Sequence, residues 1–372
     1  MKCPDYGRAN VERALAEALE PFGGMAAFVK DGADAVLKPN MISARPADAC
    51  ATTHPELVSA AARAAIAAGG HVRIADSPGI GSIQQVAKLS GIESVAAELD
   101  IPLFEFIESA DAPRPEEARF RKLALALEAL HTDALINLPK VKTHQQMILT
   151  LAVKNLFGCV VGRQKIAWHM NAGRDVNLFA RMLVEVCAAV KPAVSIADGV
   201  WGMEGKGPTH GEPRYFGFIA ASDDAFALDA VIAHALGFRH EDVPLFAAAK
   251  RAERDGLRTG VIELERIDIV GCKIQDLQIG EVKPPAAGRL MFVPHALAGI
   301  ARRLITVRPK ITSACNLCGA CVSHCPANAM AKVDGRVKID DTLCIRCFCC
   351  QELCPFGAID VQGGLLSRLF AR

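Results

Sequence analysis

Short apolar runs alternate with longer amphipathic segments over most of the chain. The runs are rich in Val, Ile, Leu and Ala, and each is followed by a turn residue or a charged residue, which is typical of buried strands. Predicted strands lie at 34–37, 71–75, 133–137 and 193–197, and later at 216–221 and 267–270.

The segments between these runs have helical spacing. Residues 8–22 place Val11, Leu15, Leu19 and Phe22 on one face, and an Ala-rich helix opens at His54-Pro55 and stops before Gly69. Another helix is expected at 223–236. Because strands alternate with helices, the pattern predicts an α/β fold with a mostly parallel sheet covered by helices on both faces.

The alternation ends near Lys283-Pro284-Pro285. We therefore expect an α/β domain over 1–285, a linker or connecting helix over 286–309, a small α+β module over 310–362 and a short amphipathic tail over 363–372. Such a tail packs on its own domain, on a partner or on a membrane.

Polar residues stand at the ends of the predicted strands. In open parallel sheets, ligands bind beyond the carboxyl ends of the strands, so these residues predict one site for a small anionic substrate. The alternative is that they only form turns. The candidate substrate-binding residues are Lys38, Asn40, Asp76, Ser77, Asn137, Lys154, Asn155, Arg163, Asp198 and Glu204.

The stretch from Lys140 to Arg174 is the richest in cations. An apolar run at 147–153, predicted to be helical, carries Lys154 and Asn155 at its end. One interpretation is a set of lysines whose charged ends reach solvent. The other is an anion site with a histidine as proton donor near neutral pH. The candidate catalytic residues are Lys140, Lys142, His144 and His169.

A glycine-rich loop at 198–211 allows a ligand to approach the backbone closely, and a flexible lid is an equal interpretation. The loop matches neither the phosphate loop of ATP-binding proteins nor the dinucleotide-binding pattern. No NAD, flavin or ATP motif is therefore predicted.

The C-terminal cysteines have the spacing C-x2-C-x2-C-x3-C-P twice, which is the ligand pattern of [4Fe–4S] clusters. Three thiolates of one loop bind one cluster and the fourth binds the neighbouring cluster, so two clusters are expected. The predicted ligands are Cys315, Cys318, Cys321 and Cys354 for the first cluster and Cys344, Cys347, Cys350 and Cys325 for the second.

Structural zinc and a disulfide framework are the alternatives to clusters. Zinc sites use two paired CxxC knuckles, and nothing in the chain suggests secretion. The segment resembles the bacterial two-cluster ferredoxins over about 50 residues, and Pro326–Met330 and Pro355–Ile359 repeat at the same offset. Cys349 fits no ligand position and is interpreted as a small buried side chain.

Composition narrows the class of protein. The 372 residues include 51% apolar and 22% charged residues, with a formal net charge of +1. These values exclude a disordered chain and give no global field for nucleic acid. No signal sequence and no transmembrane segment are recognised, which indicates a reducing, anaerobic cytoplasm for the cluster cysteines.

Several motifs together resemble the DUF362 family, fused to a ferredoxin-type domain. The similarity covers about 35–270, and it implies an iron–sulfur protein without implying a reaction. At the level of fold, the chain is also similar to the nickel-dependent lactate racemase superfamily, with no ligand residue aligned. The motifs are Leu37–Asn40, Ala75–Gly79, Asn137–His144, Lys154–Gly158, Asp198–Gly205 and Asp223–Asp229.

Three functions remain open, and whether the chain is an enzyme is one of the differences between them. The first is an oxidoreductase that takes low-potential electrons from ferredoxin or another redox protein and passes them to a substrate at the strand ends. The second is an electron carrier or maturation factor that binds a partner and catalyses nothing. The third is a non-redox enzyme with structural clusters.

Overall fold

The computed structural model describes residues 1–162, 164–286 and 307–362. The helices are α1 (Arg8–Leu19), α2 (Pro55–Ala67), α3 (Ile83–Ser90), α4 (Ile92–Leu99), α5 (Leu127–His131), α6 (Ala152–Asn155), α7 (Gln164–Ala172), α8 (Val176–Val190), α9 (Ala225–Ala235), α10 (Pro244–Arg254), α11 (Ala320–Ser323) and α12 (Cys349–Glu352). The strands are β1 (Asp34–Pro39), β2 (His71–Asp76), β3 (Leu103–Glu105), β4 (Ser109–Asp111), β5 (Ala124–Ala126), β6 (Ala134–Leu138), β7 (Lys140–His144), β8 (Ile148–Thr150), β9 (Val194–Glu204), β10 (Glu212–Ser222), β11 (Arg308–Ile311), β12 (Met330–Val333), β13 (Arg336–Ile339) and β14 (Ile359–Gln362).

An eight-stranded sheet organises the α/β domain. Its order is β3-β2-β1-β6-β9-β7-β8, and β10 also pairs with β9. β1 is parallel to both β2 and β6, whereas β8 and β10 are antiparallel to their neighbours. The prediction of a mostly parallel sheet is confirmed, and the carboxyl ends of β1, β2 and β6 lie at the same edge.

Alternate residues of the central strands enter different cores. Ala35 and Leu37 of β1 pack in the core formed with α1 to α4, whereas Val36 packs in the core formed with α8, α9 and α10. Each central strand is thus apolar on both faces, which is why its sequence is a continuous apolar run. Helices cover both faces of the sheet, as the pattern predicts.

The C-terminal module is built from two small antiparallel pairs, β11 with β14 and β12 with β13. Its small core contains Val337, Met330 and Ile359 together with cluster-module cysteines. Because this core buries little apolar area, it contributes only a limited free energy of folding. In small modules of this kind, bound metal commonly supplies the remaining free energy of folding.

Some elements differ from the sequence-based expectation. Residues 267–270 form no strand, and the run at 147–153 is the short strand β8 followed by the one-turn α6, not a helix. β9 continues through Glu204, so the first half of the glycine-rich loop is strand. At 147–153 the pairing of β8 with β7 decided the conformation. Residues 267–270 lie at the surface instead of in the core, with Ile269 48% and Val270 62% exposed.

Other predictions concern parts of the chain that the structure does not describe. Residues 287–306 of the predicted linker or connecting helix, the tail at 363–372 and Arg163 lie outside the described residues. Across the described ranges, no helix combines the length and the apolar character that a membrane crossing requires.

Candidate functional site

The cysteines of the C-terminal module surround two separate cavities. Cys315, Cys318, Cys321 and Cys354 line one of them. The other is lined by Cys325, Cys344, Cys347 and Cys350. In each cavity three thiols come from one half of the module and the fourth from the other half, and four thiols are the ligand number of a [4Fe–4S] cluster.

Cys325 and Cys354 each join three cysteines from the other half of the module, and the hydrogen bonds around them also favour metal binding. The Sγ atoms of Cys325 and Cys354 each accept an N–H from the residue four positions later, Ala329 and Ala358, at 3.3 Å. Such hydrogen bonds stabilise the thiolate form that binds metal. All 14 cysteines of the chain are free, so no disulfide competes for them.

The second cysteine loop, residues 340–350, docks on the α/β domain through Arg174. The guanidinium donates to the carbonyl oxygen of Cys344 from Nη2 at 2.9 Å and from Nε at 3.1 Å, and to that of Asp341 at 3.1 Å. A planar cation with several donors is suited to gathering the carbonyls of one loop. Arg174 therefore holds the second cysteine loop against the turn between α7 and α8.

A second contact comes from the loop between β9 and β10. The hydroxyl of Thr209 donates to the carbonyl of Glu352 at 3.0 Å, and Gln351 Nε2 donates to the carbonyl of Lys206 at 3.1 Å. The loop that the sequence suggested as a lid thus packs on α12 of the module.

Between the two domains lies a cavity of about 120 Å³. Its walls come from the strand ends of β1, β2 and β7, from α6 and α7, and from α12 of the module. We call it the interdomain cavity; its polar and charged lining residues are Asn40, Asp76, Ser77, His144, Thr150, Lys154, Asn155, Lys165, His169, His324 and Glu352.

A buried ion pair forms part of its floor. Lys38 Nζ lies 2.8 Å from Asp76 Oδ1, and the two side chains are 0% and 5% exposed. A Cβ at Gly158 would lie 2.1 Å from Asp76 Oδ1, so only glycine lets the backbone approach this pair. Asp76 faces the cavity, whereas Lys38 lies behind it.

Next to this ion pair, three amide side chains form a hydrogen-bonded chain, of which Asn40 and Asn155 line the cavity and Asn137 lies behind it. Asn40 Nδ2 donates to Asn155 Oδ1 at 2.7 Å, and Asn155 Nδ2 donates to Asn137 Oδ1 at 2.8 Å. Lys142 Nζ donates to Asn40 Oδ1 at 2.7 Å. These buried polar groups are paired, so they fix the positions of the strand ends.

Two lysines face the cavity itself. Lys154 Nζ lies 5.0 Å from the centre of the Phe157 ring and makes no hydrogen bond or ion pair with any described residue. Lys165 Nζ donates to the carbonyl and hydroxyl oxygens of Ser77, at 2.6 and 2.7 Å. Burial lowers the pKa of both lysines, that of Lys165 to about 8. A cation that makes no hydrogen bond in a recessed cavity favours an anionic ligand.

His144 connects the domains through a carboxylate. Its Nδ1 accepts the N–H groups of Gln146 and Met147, both at 3.1 Å, so a neutral ring carries its proton on Nε2. Nε2 lies 3.1 Å from Glu352 Oε1. Their alignment is not that of a hydrogen bond, and Glu352 Oε1 has no other partner in the part of the chain described.

Electrostatics keep this carboxylate ionised. Burial raises the pKa of Glu352, but His144, Lys154 and His169 outweigh that effect and lower it to about 2. Burial lowers the pKa of His144 and takes that of His169 to about 3. Both imidazoles are therefore neutral near pH 7, where the sequence suggested a titrating proton donor; a neutral ring still donates one N–H.

His169 brings the cavity next to the second cysteine set. One ring nitrogen of His169 and the Sγ atoms of Cys347 and Cys349 all lie within 4.8 Å of one another, and all three residues are buried. The Nδ1 atom of His169 has no hydrogen-bond partner among the described residues. Cys349, which matches no ligand position, lines the interdomain cavity.

Several predicted site residues do not line the cavity. Lys140 Nζ contacts Asp198 Oδ2 at 2.9 Å and the Tyr6 hydroxyl at 2.8 Å, in a separate buried cluster. Glu204 Oε2 accepts the N–H of Lys283 at 3.0 Å. Lys38, Asn137 and Lys142 lie behind the floor, and Arg163 is outside the described residues. The catalytic and substrate roles assigned from the sequence stay predictions.

Five cavity residues with polar or thiol side chains were not recognised from the sequence as site residues: Thr150, Lys165, His324, Cys349 and Glu352. Lys165 carries no signal in the pattern. Glu352 and Cys349 carried one, because the two halves of the module can be compared position by position: Ser323 and Ala320 stand in the first half where Glu352 and Cys349 stand in the second. The duplication therefore marks both as departures.

A larger cavity of about 760 Å³ lies at the opposite edge of the sheet. It is lined by the ends of α8 and β10 and by residues 258–277, mostly with apolar side chains. It contains none of the residues predicted for the site and no cluster ligand. Size alone therefore does not identify the reactive cavity.

Comparison with known families relates this architecture to other proteins. The family described as "Domain of unknown function (DUF362)" matches residues 35–234, which is more than half of the chain. The chain belongs to the DUF362 family. "Thylakoid-associated protein sll1697" of Synechocystis sp. is 43% identical over 265 residues, covering 71% of this chain and 81% of that protein.

The C-terminal module of this DUF362 protein matches the "4Fe-4S dicluster domain" family over residues 309–355. "Formate hydrogenlyase subunit 2" of Escherichia coli (strain K12) is 38% identical over 74 residues, covering 18% of this chain and 36% of that subunit. The module is an iron–sulfur domain of the kind found in electron-transfer subunits, and its cysteine-lined cavities suit that cofactor.

Among solved structures, the lactate racemase apoprotein from Thermoanaerobacterium thermosaccharolyticum is similar with a TM-score of 0.40 and 12% sequence identity. The similarity covers 61% of this chain and 54% of that chain.

Proposed function

We propose that this DUF362 protein is an iron–sulfur oxidoreductase whose small anionic substrate binds in the interdomain cavity. The observation that carries the proposal is that one cavity is lined both by the strand ends of the α/β domain and by Cys349 and Glu352 of the cluster module. A binding site shared by two domains joins the redox module to the domain that recognises the ligand.

Two [4Fe–4S] clusters are the proposed cofactors, held by the eight cysteines that line the two small cavities. When bound, the clusters supply single electrons at low potential, received from ferredoxin or another redox protein. Cys347 belongs to the second set and lies within 4.8 Å of His169 at the cavity wall, so this set is the one nearer the substrate.

Residues of the chain itself bind the anionic substrate and hold a proton next to it. Lys154, which makes no hydrogen bond within the described residues, attracts the anionic group, and the Lys165 amino group lines the same wall. Glu352 Oε1 accepts a hydrogen bond from a donor group on the ligand, since nothing else in the described residues supplies one. The neutral His144 ring holds its proton on Nε2, beside that carboxylate.

Measurement of the iron content tests the proposal of two [4Fe–4S] clusters. Anaerobically reconstituted protein is expected to hold about eight irons per chain, and Cys318→Ser and Cys347→Ser are each expected to lower that number by disrupting one cluster. A wild-type value near four would reduce the proposal to a single cluster.

Reoxidation tests the redox part. After bleaching with dithionite, cluster absorbance at visible wavelengths is followed while small anionic acceptors are added one at a time. Lys154→Met is expected to slow reoxidation at least tenfold, the effect of losing a charge-assisted hydrogen bond worth about 1.5–3 kcal/mol. Lys122→Met, at an exposed lysine, is the matched control and is expected to behave as the wild type.

The same assay separates the other two functions. Reoxidation only by another redox protein indicates an electron carrier or a partner-binding maturation factor. A turnover that continues unchanged in Cys347→Ser indicates a non-redox enzyme with structural clusters. Either result rejects the oxidoreductase.

The proposed compartment is the cytoplasm, because all 14 cysteines are free and cluster thiolates persist in reducing compartments. The Synechocystis relative is named as thylakoid-associated. Cell fractionation tests this point, and recovery of the chain with membranes would place it at a membrane surface instead.

A further inference from the structure

Three side chains that can ligate a metal meet at the wall of the interdomain cavity. One ring nitrogen of His169 and the Sγ atoms of Cys347 and Cys349 lie within 4.8 Å of one another. His169 belongs to α7 of the α/β domain, whereas both cysteines belong to the second cysteine loop. Three atoms at such separations can share one metal ion, with bonds of about 2.0–2.3 Å, after small side-chain adjustments.

His169 is a buried polar side chain whose ring is fixed by aromatic neighbours. It is 8% exposed, and its Nδ1 has no hydrogen-bond partner among the described residues. The ring stacks on Phe179 with the ring centres 4.4 Å apart and meets Phe157 edge-on. A buried polar nitrogen without a partner costs free energy, and a bound ion offsets that cost.

Cys349 supplies a thiol beyond the four that the second cluster uses. The corresponding residue in the first half of the module is Ala320. Cys349 lines the interdomain cavity, whereas Cys347 lines the cysteine cavity beside it. Cys347 thus lies between the two cavities, and its thiolate sulfur can bind a metal on each side because it has more than one lone pair.

We propose that His169, Cys349 and Cys347 bind one divalent, thiophilic cation such as Zn²⁺, whose remaining coordination position faces the interdomain cavity. Two thiolates and one imidazole are the protein ligands of a known class of catalytic zinc site, in which the fourth position is open to water or substrate. Thiolate ligands select zinc over magnesium and calcium.

This inference deepens the proposed function, because one donor atom of the anionic substrate then completes the coordination of the ion. It rests on that function only for the second role of Cys347, as a ligand of the second cluster. Metal binding releases the thiol proton of Cys349. Two thiolates offset the charge of a divalent cation, so the ion does not repel the ammonium group of Lys154, which lines the same cavity.

Zinc binding is measured on the full-length protein after anaerobic reconstitution of the clusters. The protein is dialysed to equilibrium against Zn²⁺, zinc and iron are counted in the same samples, and X-ray absorption at the zinc edge gives the type and distance of the ligands. Cys349→Ala and His169→Ala each remove one ligand. The matched controls are Cys187→Ala, at another buried thiol, and His234→Ala, at an exposed histidine.

The expected result is one zinc per chain in the wild type and in both controls. Its neighbours should be two sulfurs at about 2.3 Å and one nitrogen at about 2.0 Å. Cys349→Ala and His169→Ala should weaken zinc binding at least about tenfold while they hold the wild-type amount of iron.

A wild-type protein that binds no zinc would overturn the inference, as would equal zinc binding in the ligand variants. A zinc ion with sulfur neighbours only would place it in a cysteine cavity and also overturn the inference. Loss of about four irons from either ligand variant would show instead that the residue supports the second cluster. Zinc bound as expected to a wild-type protein without two clusters would reject only the proposed function.

Discussion

Replacing Lys38 by Met removes one partner of the buried ion pair in the floor of the interdomain cavity. Lys38 Nζ is 2.8 Å from Asp76 Oδ1, and both side chains are almost completely inaccessible to solvent. At that distance the attraction is roughly 6 kcal/mol for an effective dielectric constant of about 20. Loss of one partner leaves the other charge buried, which destabilises a protein by about 3–5 kcal/mol.

The Asp76 carboxylate also accepts backbone hydrogen bonds, which affect the loss of unfolding free energy expected for its variants. Its Oδ2 accepts the N–H of Met41 and its Oδ1 that of Ser77, both at 2.9 Å. Asp76→Asn keeps an oxygen for one of these donors but leaves Lys38 charged and unpaired. We expect each single variant to lose about 4 kcal/mol, and Lys38→Met with Asp76→Asn to lose only about 3 kcal/mol.

The assay is urea unfolding under anaerobic conditions, followed by tryptophan fluorescence. Both tryptophans of the chain, Trp168 and Trp201, belong to the α/β domain, so the signal reports on that domain. Equal slopes against urea for all variants are required before the free energies are compared. A double variant that loses the sum of the two single losses would refute the coupling, and with it this account of the cavity floor.

Three further predictions concern neighbouring features. Gly158→Ala is expected to lower the stability of the folded chain by about 1–3 kcal/mol, seen as a lower melting temperature, because the new Cβ would lie 2.1 Å from Asp76 Oδ1. Gly79→Ala is expected to lower it less, because a Cβ at Gly79 would come no closer than 3.2 Å to the Ile42 carbonyl oxygen. Burial lowers the pKa of Lys142 from 10.5 to about 7. Between those two pH values the unfolded chain binds more protons than the folded chain, so the free energy of unfolding rises with pH across that window. Lys142→Met should flatten this part of the profile of unfolding free energy against pH. Arg174→Ala should speed hydrogen exchange in the second cysteine loop and the loss of iron to a chelator, since it removes the hydrogen bonds to the Cys344 carbonyl; wild-type exchange rates would show that the docking does not depend on it.

Prediction from the sequence worked best where the local hydrophobic pattern and the observed conformation both result from the same burial of side chains. The run Ala35-Val36-Leu37 became a central strand because both of its faces are buried, and both the helix after His54 and its end near Gly69 are as expected. It failed at 147–153, where a continuous apolar run does not distinguish strand from helix and pairing with β7 decided the result.

The lysines show where sequence reasoning stops. Lys140 and Lys154 looked equivalent as cations after apolar runs, yet Lys140 is paired with Asp198 and Tyr6 whereas Lys154 faces the interdomain cavity without a hydrogen bond to any described residue. The difference depends on partners that are distant in the chain. No periodicity within one element contains that information.

By itself, the sequence determined the layers of the α/β domain and the two sets of cysteine spacing, because helix and strand periods and ligand spacings are properties of short segments. Only the tertiary structure decided that α12 of the module closes the cavity at the ends of the parallel strands. Contacts such as His144 with Glu352 join residues that are far apart in the chain, and their formation depends on how two separately patterned domains pack together.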